Sequence, residues 1–324
     1  MKTDNTRVLI LALSANVGIG IAKFVAAAIT GSSAMLTEGV HSMVDSTNQL
    51  LLMYGQQRAR RPADEKHPMG YGRELYFWSF VVALLVFALG AGISTYEGIR
   101  HVMAPEEPVS PLIGYIVLGI AFVLEGGSTA AAYKQFNAAR GTKSWWRAMV
   151  DTKDATTVIV LLENGAAMLG IVIAAIGLGL TQVTGDARFD GIASIAIGLL
   201  LACVAMFLAR EAKGLLIGEA ADPRLVEGLR RAATREGIMG IGSIATIHNA
   251  PNQIVATMNV DFDNRLSAGD VDRLIEEIER EVIADFPDVR RIYIRPHEDA
   301  GLDLGAARGL LVSGASPREP GGST

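Results

Sequence analysis

The sequence predicts an α-helical membrane protein: six transmembrane helices followed by a small soluble α/β unit with the element order αββαβ. Three observations carry this. Half of the 324 residues are hydrophobic and only 19% are charged, with a positive mean hydropathy of +0.32, whereas soluble domains carry more charge and less apolar sequence. The apolar residues gather in runs near the roughly 20 residues that a helix needs to cross a bilayer core. After Arg210 the runs stop and soluble patterning begins.

Six apolar segments lie at 7–29, 33–56, 75–99, 109–133, 155–180 and 189–212. The first follows Met1–Arg7 without a small-residue cleavage site, so it reads as a membrane helix and not a removed signal peptide. Only Thr30–Gly31–Ser32–Ser33 separates the first two segments, which predicts a tight helical hairpin. The second segment is the least apolar, because it carries Glu38, His41, Asp45, Asn48 and Gln49.

The connections give the orientation. Arg58, Arg60, Arg61, Lys66 and Arg73 follow the second segment, and Lys134, Arg140, Lys143, Arg147 and Lys153 follow the fourth. Ala104–Pro111 has no basic residue, and the turn around Gly185–Arg188 has one. The positive-inside rule then places both termini in the cytoplasm. The lack of a targeting segment favours a prokaryotic inner membrane.

In the soluble part, residues 222–236 read as an amphipathic helix and 243–250 as a strand. Ile254, Ala256, Met258, Val260 and Phe262 alternate with polar or small residues, the period of a half-buried strand. Ser267 and Asp270 form a capping-box signature for a helix over 268–285, and 289–295 supplies a last strand. The expected domains are 1–212 and 213–298, with 299–324 a disordered tail rich in Gly, Ala, Ser and Pro.

Composition also excludes classes. A net charge of −5 offers no basic surface for nucleic acid. The single cysteine, Cys203, reads as a small core residue and cannot form a disulfide within the chain. No nucleophile with an adjacent base and no phosphate-binding glycine loop is present, so no enzyme is expected, and no permanently bound cofactor.

Ionisable residues at bilayer depth are costly unless they face a partner or a water-filled cavity, so each is a functional candidate. His41 and Asp45 project from one helix face a turn apart, and Glu38 and Asn48 extend that stripe. Imidazole with carboxylate suits zinc or a similar first-row metal. One helix cannot complete the shell. Glu163 and Asn164, deep within the fifth segment, are the best partners, and Asp154 at that segment's cytoplasmic end is a weaker one, as is Glu38. Glu125 is a further membrane carboxylate, suited either to proton transfer or to helix packing. Lys23 and Glu97 sit nearer segment ends, where long side chains reach the interface cheaply. His101 has no evident partner.

Two stretches then carry a resemblance. Leu36–Thr–Glu–Gly–Val–His–Ser–Met–Val–Asp–Ser–Thr–Asn48 resembles the second helix of the cation diffusion facilitator family, and His67–Pro–Met–Gly–Tyr–Gly–Arg73 resembles the signature that follows it. The match looks closest to the branch related to the ninth mammalian zinc transporter. The resemblance implies a homodimer with a ferredoxin-like cytoplasmic domain, exchanging a divalent metal ion for protons across the bilayer by alternating access. Zinc is the expected cargo, with manganese, iron or cobalt as alternatives. It also implies His41 and Asp45 as half of the metal site. The family's second half, a histidine and an aspartate on the fifth helix, departs here, because that helix has no histidine. One alignment puts Asp154 at the family aspartate; the other puts Glu163 there and Ile159 at the histidine position. His248 and His297 are candidates for additional metal in the cytoplasmic domain, and His67 is expected to order its loop. The departure on the fifth helix leaves a rival reading, a non-transporting metal sensor or dimeric scaffold.

Overall fold

The computed structural model describes residues 2–105, 111–142, 144–145, 148–149 and 155–297, without side chains for 2–12, 14, 15, 135, 139 and 155. The chain separates into two compact units, Met1–Ile217 and Gly218–Thr324.

The first unit is built from long helices: α1 (Lys2–Thr30), α2 (Ser33–Ala59), α3 (Glu74–Met103), α4 (Pro111–Ala139), α5 (Ala155–Thr184) and α6 (Arg188–Ile217). Helices α3 to α6 are each long and apolar enough to span a membrane. In α1 the apolar helix measured over described residues is Asn16–Thr30. In α2 the inward polar stripe lowers the hydropathy without shortening the helix. The first unit is an integral membrane domain, and its large apolar residues turn outward as a lipid-facing surface requires, with Leu112, Val123, Ile176 and Leu199 all more than half exposed. Cys203 also lies on an exposed face of α6, so its expected core position is corrected. Apolarity alone cannot tell an inward from a lipid-facing position.

Gly31, at a φ of 70°, makes the turn between α1 and α2 in a conformation that β-carbon sterics discourage in other residues. Helix α2 then starts on Ser32, whose hydroxyl accepts from Met35 N at 3.2 Å. A carboxylate from α6 completes this cap. Asp190 Oδ2 accepts from Ser33 N at 2.5 Å and from Ala34 N at 3.2 Å, while Ser32 Oγ donates to Oδ1 at 2.6 Å. Buried negative charge is favoured there by the unpaired amides and the dipole of the helix start. His101 Nε2 lies 3.9 Å from Asp190 Oδ2, so the histidine expected to lack a partner is buried against this carboxylate.

Helix α3 contains a π-helical turn at Val86–Ala91 and packs closely on α6 through glycine. A β-carbon at Gly98 would lie 2.7 Å from Gly191 O and 2.7 Å from the Ile195 side chain. Such small-residue contacts let helices approach where lipid offers no hydrophobic drive. Gly98→Leu is therefore expected to destabilise the membrane unit by at least about 1–3 kcal/mol, the usual overpacking cost, read as a lower melting temperature of the detergent-solubilised protein.

The second unit runs α7 (Pro223–Ala232), β1 (Ile238–Ala250), β2 (Gln253–Phe262), α8 (Ala268–Asp285) and β3 (Val289–Pro296). The strands form one sheet in the order β1-β2-β3. Strands β1 and β2 are antiparallel, and β2 and β3 are parallel, the geometry that requires a crossover such as α8. The alternating residues of β2 point into a core with Leu225, Leu229, Ile278 and Val282. Ser267 and Asp270 form the capping box. Two expectations shift: α7 ends four residues before 236, and β1 begins at Ile238 instead of 243. Gly240 and Gly242 hid the early part of the strand, since glycine carries no alternation signal. The tail 299–324 lies outside the described residues.

Candidate functional site

The polar stripe of α2 faces inward. Glu38, His41 and Asn48 have at most 1% of their surface exposed, and Asp45 opens into a pocket. Imidazole and carboxylate are neighbours, with His41 Nε2 3.5 Å from Asp45 Oδ2. Among the described residues, neither ring nitrogen of His41 has a hydrogen-bond partner, nor does Asp45 Oδ1. A buried polar atom left unpartnered is costly, and here three of them lie side by side on α2 with lone pairs or protons to offer.

Helix α5 comes against this stripe. Asn48 Nδ2 donates to Glu163 Oε1 at 2.7 Å, which aims the buried Glu163 carboxylate at α2. The structure thus brings Glu163 to the site from mid-helix, flanked by apolar Leu161 and Ala166. Asn164 turns instead toward α4, where its Nδ2 donates to Ser128 Oγ at 3.3 Å. Asp45, Glu163 and Asn164 line one pocket, together with Glu125 and Ser128 of α4 and Ser42. Its empty volume is about 490 Å³ including the open mouth. Among the described residues, no three His, Cys, Asp or Glu side chains converge as a closed metal shell. The pocket has three carboxylates from three helices, Asp45, Glu125 and Glu163, of which Glu125 is engaged by Lys23, with His41 one turn below Asp45. Asp154, the alternative partner, lies outside the described residues.

Lys23 corrects the sequence reading most. It does not reach for an interface; it is fully buried, with Nζ donating to Glu38 Oε2 at 2.9 Å, Ser42 Oγ at 2.9 Å and Glu125 Oε1 at 2.7 Å. Three carboxylate and hydroxyl acceptors stabilise the charge more than a long path to water does. Glu38, a weaker metal candidate, is thereby joined to Lys23. Sequence spacing could not show this, because the partners of this α1 residue come from α2 and α4. Glu97, by contrast, pairs with Arg100 at 2.8 Å near a helix end. Gly170 of α5 makes room for the Glu38 carboxylate, since a β-carbon there would overlap Glu38 Oε1. Gly170→Ala is expected to push Glu38 off Lys23 at a cost of about 1–3 kcal/mol, read by melting temperature.

On the loop before α3, Asp64 accepts from Tyr71 Oη at 2.6 Å, from His67 N at 2.7 Å and from Lys66 N at 3.0 Å. The Tyr71 hydroxyl, with the His67 amide second, holds the Asp64 carboxyl below the usual carboxylate range. These bonds are made to the ionised form, so what they contribute is present above that range and lost as pH falls through the lowered pKa. His67 takes part in this folded loop, 3.3 Å from Asp64 Oδ1.

The two soluble-unit histidines do not meet. His248 is buried in β1, opposite Ile254. His297 is half-buried, with its backbone N donating to Val260 O at 2.9 Å.

A family profile described as the cation efflux transmembrane domain matches residues 9–217. The chain belongs to the cation efflux family. This is the cation diffusion facilitator family anticipated from α2, and the chain stands close to the SLC30A9 antiporters within it. The human protein named proton-coupled zinc antiporter SLC30A9, mitochondrial, is 30% identical over 308 residues, covering 92% of this chain and 54% of its own length. Metal tolerance protein C4 of Arabidopsis thaliana is 35% identical over 199 residues, 60% of this chain and 43% of that protein. Magnetosome protein MamB of a Magnetospira strain is 25% identical over 286 residues, 86% and 90% of the two chains. The chain spans about half the length of the first two relatives. Mitochondrial and bacterial proteins both stand among these relatives, so they give no support to a prokaryotic inner membrane in particular. Cation efflux proteins form a transporter family, consistent with the lack of an expected enzyme site.

Proposed function

We propose that this cation efflux protein exports a divalent metal ion, zinc foremost with manganese, iron or cobalt as alternatives, in exchange for protons. In this reading α1 to α6 all span the bilayer, both termini are cytoplasmic, and the domains are 1–212 and 213–298. The second of these is a ferredoxin-like domain that dimerises the chain. His41, Asp45, Glu163 and Asn164 hold the ion.

The observation that carries this reading is the pocket between α2 and α5, in which Asp45 and Glu163 face one another's helix at membrane depth. Two carboxylates and an adjacent imidazole form an N/O donor set of the kind zinc accepts, with water in a remaining position. Metal requires ionised carboxylates and a neutral imidazole, so binding releases protons and protonation releases metal. Rocking of helices about a midplane site gives alternating access. The zinc antiporter name of the SLC30A9 relatives supports the same cargo and coupling.

The test is zinc uptake into proteoliposomes with an imposed pH gradient. Uptake should appear with the gradient and cease when an ionophore collapses it. A second reading, a non-transporting sensor or scaffold, draws on the buried, apolar Ile159, one turn from Glu163 on a helix without histidine. Metal bound by the purified protein, with no gradient-driven flux of any of the four metals, would favour it.

A further inference from the structure

The Lys23 ammonium has three donors and no more, and all three are taken, by Glu38 Oε2, Ser42 Oγ and Glu125 Oε1 at 2.7–2.9 Å. Each of the two carboxylates keeps its other oxygen, Glu38 Oε1 and Glu125 Oε2, without a hydrogen-bond partner among the described residues. The arrangement is that of a cation held by oxygen ligands from two helices, except that the cation is covalently tethered to a third. It also adjoins the pocket, because Ser42 and Glu125 form part of the wall shared with Asp45 and Glu163. Without the ammonium, a second pair of buried carboxylates would stand beside the first, and buried charge that lacks a partner draws a counter-ion.

We propose that Lys23 is a tethered cation that occupies the Glu38–Glu125 carboxylate pair and thereby limits the pocket to a single divalent ion. Lys23 is in this sense a specificity-determining residue, one that fixes how many ions enter and leaves the Asp45–Glu163 pair as the sole open one. The proposal rests on the reading that Asp45 and Glu163 bind the cargo metal. A role in packing alone would change stability without changing the number of ions bound.

The full-length protein in detergent micelles is equilibrated with cadmium, and bound ion per chain is counted by elemental analysis. Lys23→Met should bind about one ion more than the unmodified protein, and Lys23→Met/Glu38→Gln/Glu125→Gln should lose that gain. Folded Lys23→Met with an unchanged count overturns the proposal. If Lys23→Met does not yield folded protein, Glu38→Gln decides, since it keeps Lys23. An unchanged count there supports the proposal, and a loss of about one ion overturns it by showing metal already at Glu38. The underlying reading is judged separately: Asp45→Asn/Glu163→Gln should bind about one ion fewer than the unmodified protein. An equal count would refute the metal site while the Lys23→Met comparison still reports on the ammonium.

Discussion

Asp45→Asn is expected to reduce pH-gradient-driven zinc uptake into proteoliposomes by on the order of 100-fold or more. The amide keeps the volume and one oxygen of the carboxylate but removes its charge, and a divalent ion at membrane depth depends on charge neutralisation. Replacing residues that merely orient metal ligands costs about 10–100-fold in affinity or activity, and a ligand itself should cost more. Asn48→Ala provides the comparison. Asn48 holds Glu163 Oε1 at 2.7 Å and does not line the pocket, so its loss should fall within that smaller range. Equal flux from Asp45→Asn and the unmodified protein, at equal reconstitution, would remove Asp45 from the site.

The largest effect on stability is expected from Asp190→Leu. This buried carboxylate accepts hydrogen bonds from two amides at the start of α2 and from the Ser32 hydroxyl. Leucine leaves all three donors without an acceptor, at about 1–3 kcal/mol for each one that stays buried. It also removes the negative charge that opposes the dipole of α2 and faces His101. The purified variant should melt well below the unmodified protein, by a wider margin than Gly98→Leu. Asp186→Leu, which removes one exposed acceptor from the Arg188 amide at the start of α6, should cost clearly less, about 0.5–2 kcal/mol. A melting temperature unchanged by Asp190→Leu would show that the α2 cap is satisfied in another way.

What the sequence made legible follows from where the physical signal lies. The stripe of Glu38, His41, Asp45 and Asn48 stood out because polar groups at helical spacing in an apolar segment have few structural explanations. Glu163 was found by the same reasoning, from its depth in the fifth segment. The strand over 253–262 and the capping box at Ser267 were equally plain, since alternation and capping are local signals. Lys23 was misjudged because its energy depends on Glu125, which lies 102 residues away. Asp190 was missed for the same reason: at a segment start it looks like an ordinary loop acid, and its partners lie more than 150 residues earlier. Cys203 shows the complementary failure, because an apolar face turned to lipid and one turned to the core have the same composition.

In the proposed site, metal sits between α2 and α5, at Asp45 and Glu163. Anomalous scattering from zinc-loaded crystals of the full-length protein tests this directly. The expected result is an ion within the roughly 2.0–2.2 Å of zinc–ligand contact to carboxylate oxygens of both residues, with His41 turned to the same ion. An ion at Asp154, with Glu163 still paired only to Asn48, would contradict it.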